Sequence, residues 1–187
     1  MRNKIILCFL IFIQLGLILR SEVVEEEYRL KSIFILRICK FTQWPSTFEY
    51  PNKPFIISVL GNLPAGEEIF FPKGVTLFHK NILVRKIKEV EEINGSDVLF
   101  IASSENNRLE TILRYIEGRP ILTVGDTRGF GARGVCINLF VTPKQSIGYE
   151  INPEAYKRSF LKPNSYLFTY GTVVSGPLEK RSRQDQQ

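Results

Sequence analysis

The sequence is poor in the residues that most often carry out chemistry. It has a single histidine, His79, and three cysteines, Cys8, Cys39 and Cys136, too far apart to show metal-ligand spacing. No metal site and no cofactor are expected. No serine or cysteine beside His79 sits in a nucleophile signature. A Cys–His pair using Cys136 would require a thiol in the middle of an apolar strand to be exposed and lowered in pKa. Catalytic residues are therefore expected to be absent, and a hydrolase or thiol enzyme is the most distant reading. So few cysteines also exclude a disulfide framework. One bridge between Cys39 and Cys136 and two separate buried thiols both fit the apolar context, the second being preferred.

Long apolar runs are equally scarce, with one exception. Behind Arg2 and Lys4, the stretch Ile5 to Leu19 has no charge and only Gln14 as a strongly polar side chain. That is the n-region and h-region of a secretory signal. It falls short of the ~20 residues needed to cross a bilayer comfortably, so a cleaved signal over residues 1–21 is favoured. Leu19-Arg20-Ser21 lacks the small residue normally found before a cut, which keeps an uncleaved membrane tether as the alternative. Without Arg2, Lys4 and Arg20, the formal charge of +6 falls to about +3. The remaining basicity is small and scattered, so no nucleic-acid partner is expected. Residues 22–174 suit one domain with a proper core, and the polar residues 175–187 read as a disordered tail.

After the acidic stretch Glu22 to Glu27, no Gly or Pro interrupts the chain up to Trp44, and Pro45 ends the predicted helix. At helical spacing Leu30, Phe34, Ile35, Ile38, Cys39 and Phe41 share one broad arc, with Arg29, Arg37 and Lys40 opposite. Two details break the pattern. Lys31 falls in the middle of the apolar arc, where an ammonium must snorkel or find a partner such as Asp126 or Glu150. Ile33 and Leu36 form an apolar pair on the polar side; with Trp44 and Phe48 they are either stray surface residues or a contact for a second subunit or another protein.

Beyond the prolines at 51 and 54 the pattern shortens. Strands are expected at Phe55–Leu60, Asn81–Ile87, Asp97–Ala102, Ile121–Val124, Gly134–Val141 and Ser146–Ile151, the last two joined as an antiparallel hairpin. Helices are expected at Ser104–Ile116, briefly over Ala65–Phe71, and after Asn152-Pro153; the stretch Asn164 to Val173 is a helix or a final strand. The predicted fold is a single α/β domain, a mixed β-sheet of about five to six strands with helices packed on its faces.

Gly129 to Gly134 fits G-x-G-x-x-G, the spacing that brings backbone close to a pyrophosphate at a helix start. Here a strand follows, so the preferred reading is a glycine-rich turn. Asp126, Arg128, Phe130 and Arg133 leave a weaker version, a loop that binds an anionic ligand.

Lys31, Phe34, Lys40, Phe41 and Trp44-Pro45 in the first helix, Val98 to Ile101, Gly118 to Asp126, then Phe130, Gly134, Ile137-Asn138 and Glu150-Ile151-Asn152 together form a recognisable series. Taken in order, these segments resemble the YfiR-like family of periplasmic regulatory proteins. The likeness runs from about Tyr28 to Val173. It implies structural roles for Lys31, Asn138, Glu150 and Asn152. It also implies a periplasmic, non-enzymatic protein, with a homodimer as one form, that represses an inner-membrane diguanylate cyclase by contacting its periplasmic sensor domain and so lowers cyclic-di-GMP signalling. Departures bear on partner choice: Leu36-Arg37 stands where relatives tend to have Tyr-Asn, and Phe160 replaces a glycine usual before Leu161. The candidate partner contacts are Ile33, Leu36, Arg37, Trp44 and Phe48. The alternative function is a periplasmic small-ligand receptor, using the 126–134 loop and signalling to another membrane component.

Overall fold

A computed structural model describes residues 2–45, 53–64 and 74–176. The expected short helix at 65–71, Phe48 and the tail from 177 onward lie outside the described residues. Helix α1 runs from Arg2 to Lys40, its helical assignment continuous through Arg20-Ser21. Among the described residues no helix is long and apolar enough to cross a membrane.

The predicted first helix ends earlier than Pro45 requires. Helical geometry stops at Lys40, and β1 (Thr42–Gln43) pairs antiparallel with β9 (Lys162–Pro163). The Thr42 hydroxyl donates to the Ile38 carbonyl at 2.9 Å, taking a bond the helix backbone would otherwise make, and lies 3.2 Å from the Tyr156 hydroxyl. A local side-chain bond and a strand partner from far along the chain thus end the helix, not proline.

The main sheet has eight strands, more than the five to six expected, in the order β10-β8-β7-β6-β5-β2-β4-β3. Its centre is parallel: β2 (Phe55–Leu60) lies between β4 (Lys80–Ile87) and β5 (Val98–Ile101), followed by β6 (Leu122–Gly125) and β7 (Ile137–Val141). The hairpin of β7 with β8 (Ile147–Ile151) is antiparallel as its spacing predicted. The additional strands are two-residue edges, β3 (Thr76–Leu77) and β10 (Thr172–Val173), too short to carry a period-2 signal. The β3–β4 turn is made by Phe78 and His79, both at positive φ (52° and 61°). The exposed His79 is a hairpin tip, a position normally given to Asn or Gly.

Alternation along the central strands feeds two cores. Val98 and Phe100 face one side with Ile35, Ile38, Cys39 and Trp44, while Leu99 and Ile101 face the other with Leu109, Ile112 and Phe130. The expected helix at 104–116 begins as a 3-10 turn (Ser103–Arg108) and becomes α2 only at Leu109–Tyr115. Near the C-terminal end α3 (Pro153–Arg158) is capped by Asn152, whose Oδ1 accepts the Ala155 N–H at 3.0 Å. The stretch left open between helix and strand is both, α4 (Tyr166–Tyr170) and then β10.

Candidate functional site

The family-like polar residues meet where α1 crosses the ends of β6, β7 and β8. Lys31 is 3% exposed, so it does not snorkel. Its ammonium lies 2.7 Å from Asp126 Oδ2 and 2.5 Å from Glu27 Oε1, and 4.4 Å from the Tyr28 ring centroid. The Tyr28 hydroxyl donates to the same Asp126 oxygen at 2.9 Å. Burial, with the Asp126 charge beside it, pushes the Tyr28 phenol well above its ordinary value. Glu150, the other partner considered for Lys31, instead accepts from Asn138 Nδ2 at 3.0 Å. These groups form a row: Gly125, next to Asp126, is in register with Asn138, and Asn138 with Glu150. Asn152 Nδ2 donates to the Gly131 carbonyl at 2.7 Å, tying the following loop down. The arrangement clamps helix to sheet, with no nucleophile in it.

That loop, 126–134, does not present its four candidate ligand residues together. Asp126 is taken by Lys31 and Tyr28. Phe130 is fully buried, its ring against Gly125, where a Cβ would stand only 2.7 Å from Phe130 Cδ2. Arg133 donates from Nε and Nη2 to Glu110 at 2.8 and 3.0 Å, and from Nη1 to Asn106 Oδ1 at 2.6 Å. This bonding holds the Glu110 carboxyl below its usual range. Arg128 alone is exposed. Gly129 to Gly134 is a run of turns closed by backbone bonds such as Val135 N–H to Phe130 C=O, 3.1 Å, and β7 follows it; no helix start points at a phosphate.

The α1 candidates also divide. Ile33 (44% exposed) and Arg37 point outward, and Leu36 is half-buried against the core. Trp44 belongs to the interior: its indole packs edge-on against Phe55 at 5.8 Å and Phe78 at 6.1 Å. The sole tryptophan is therefore packed into the core, beyond the helix end at Lys40 near which it was expected. Cys39 and Cys136 are free, buried thiols, not a bridge.

What the sequence pattern missed is a groove between α1 and α4 of about 580 Å³. Phe34, Phe41, Tyr149, Tyr166 and Tyr170 form much of its wall, with Arg37 as its one charged residue. Phe41 stacks on Tyr166 (4.6 Å, 25°), Tyr166 lies against Tyr170 (4.9 Å), and the Arg37 guanidinium sits 5.9 Å from the Phe34 ring centroid. A hydrogen bond to Tyr170 raises the Tyr166 phenol. One signal was available, the aromatic pair Tyr166 and Tyr170 four apart on a helix face.

A protein-family model described as YfiR/HmsC-like matches residues 28–171. The chain belongs to the YfiR/HmsC-like family. No curated protein is similar enough to match it. The family is regulatory rather than catalytic, and periplasmic in general. Within this YfiR/HmsC-like domain, Arg37, one of the two residues at which the resemblance marked a departure, is also the charged residue of the groove. The second departure, Phe160, is 64% exposed at the end of α3.

Proposed function

We propose that this protein is a non-enzymatic periplasmic regulator that binds the sensor region of an inner-membrane diguanylate cyclase and represses it, with the α1–α4 groove as its contact surface. The supporting observation is the groove itself. On a chain of a regulatory family, it offers several aromatic faces and a guanidinium to solvent, with Ile33 and Leu36 on the same helix. Aromatic and arginine side chains supply most of the binding energy in protein interfaces. In this reading residues 1–21 direct export, residues 22–174 are the regulatory domain, and control reaches a cytoplasmic nucleotide only through the membrane protein.

The test is co-purification from detergent-solubilised membranes, combined with cellular cyclic-di-GMP measured with and without the protein. Expected is recovery of a cyclase with a periplasmic sensor segment and a fall in the nucleotide. Tyr170→Ala and Arg37→Glu should each weaken recovery by roughly 30-fold, the equivalent of a hot-spot truncation of about 2 kcal/mol. Unchanged nucleotide levels, or recovery indifferent to both substitutions, would sink the reading. Light scattering on the same variants separates a homodimer from a hetero-contact at this groove. The N-terminal residue of the exported protein shows whether Arg20-Ser21 is cut.

A further inference from the structure

A second cleft, of about 340 Å³, lies between α2, the end of α3 and the turn at Gly134. Arg114, in the last turn of α2, and Arg158, in the last turn of α3, both line it. A cation in the last turn is favoured by the helix dipole, which accounts for an arginine at each place. It does not account for both guanidinia lining one cleft. Each has a glutamate four residues before it, the spacing at which a helical pair forms most readily. Neither pair is made. Glu110 is drawn away by Arg133, Glu154 stands apart from Arg158, and among the described residues the guanidinium groups of Arg114 and Arg158 have no hydrogen bond or ion pair. The Arg158 guanidinium turns instead onto Gly134: Nη2 is 3.0 Å from where a Cβ on that glycine would stand, and Gly134 itself has φ +110°. The last glycine of the G-x-G-x-x-G run thus leaves room for an arginine rather than for a nucleotide.

The remaining lining sets the class of guest. Arg114, Arg133 and Arg158 face Glu110 and Glu117, a surplus of one positive charge. Leu113, Ile116 and Ala155 supply apolar wall. The Ser159 hydroxyl, 4.0 Å from the Cys136 sulfur, adds a polar contact. We propose that this cleft binds a small monocarboxylate with an apolar body, its carboxylate held between Arg114 and Arg158. Guanidinium and carboxylate match in plane and charge, and the volume is in the range of small-ligand sites. The site is separate from the α1–α4 groove and does not depend on the regulator reading.

The test is a titration of the full chain with acetate, hexanoate and inorganic phosphate, followed through the backbone amide resonances of Gly134 and Ser159. Hexanoate is expected to shift both to saturation, more tightly than acetate. Arg114→Gln and Arg158→Gln should each weaken it by roughly tenfold, the loss of a charged hydrogen bond, while Arg128→Gln on the neighbouring loop leaves it unchanged. Among the described residues neither guanidinium has a hydrogen bond or ion pair to lose, so each variant should melt within a few degrees of the parent, the helix-dipole contribution being the part lost. The proposal fails if no carboxylate gives a saturable shift, if hexanoate binds both variants as it binds the parent, or if phosphate occupies the cleft more tightly than hexanoate.

Discussion

The Lys31 ammonium meets the Asp126 carboxylate at 2.7 Å, with the two side chains 4% and 6% exposed. The contact joins the helix that begins the domain to the end of β6, ninety-five residues later. A charge pair this dry adds little net stability compared with an apolar replacement, yet losing one partner leaves the other unpaired. Lys31→Met should therefore cost about 3 kcal/mol in urea unfolding, since Asp126 would keep only the Tyr28 hydroxyl. Replacing Lys31 and Asp126 together, by Met and Leu, should restore part of the loss. A Lys31→Met variant as stable as the parent would show that the clamp is not needed.

Phe160 occupies a glycine's conformation. It has φ +53° just past α3, its N–H bonds to the Lys157 carbonyl at 3.1 Å, and the Leu161 N–H bonds to Tyr156 at 3.0 Å. These are the two bonds of a Schellman stop, whose left-handed residue is normally glycine. A Cβ there costs about 1 kcal/mol or more, and the mostly exposed ring returns little of it by burial. Phe160→Gly should thus raise stability by about 1 kcal/mol in thermal or urea unfolding. An equal or lower stability would mean that the ring packs better than its exposure indicates.

The resemblance marked Phe160 as standing where a glycine is expected, but the backbone consequence was not visible in the chain. The same division runs through the rest of the molecule. Phe55–Leu60, Val98–Ile101 and the β7–β8 hairpin could be placed because each is set by local apolar runs and turn residues. The two-residue strands β1, β3, β9 and β10 are set by partners distant in sequence, so no local period marks them. Lys31 stood out because an ammonium on an apolar arc demands a partner; burial excluded snorkelling, and the chain path brought Asp126 to it while Glu150 bonds Asn138. The groove was illegible for the opposite reason. Tyr166 and Tyr170 acquire meaning only when α4 folds back on Phe41, and nothing local announces that approach.

Cys39 and Cys136 are both fully enclosed, and burial pushes each thiol above its ordinary pKa. In the unfolded chain the same thiols ionise near pH ~8.5. Above that value the unfolded state has lost protons that the folded state still holds, so stability must fall as pH rises. Tyr28 and Tyr156, also raised by burial, act in the same direction at still higher pH. The free energy of urea unfolding should therefore decline from pH 8 to pH 10, and replacing both cysteines by alanine should flatten the first part of that decline. Iodoacetamide at pH 8, with the modified sites mapped by mass, should label neither thiol in the folded protein and both in urea. Rapid labelling of native Cys136 would instead mean that the sulfur is reached past Ser159, 4.0 Å away, and that its reactivity is not controlled by burial.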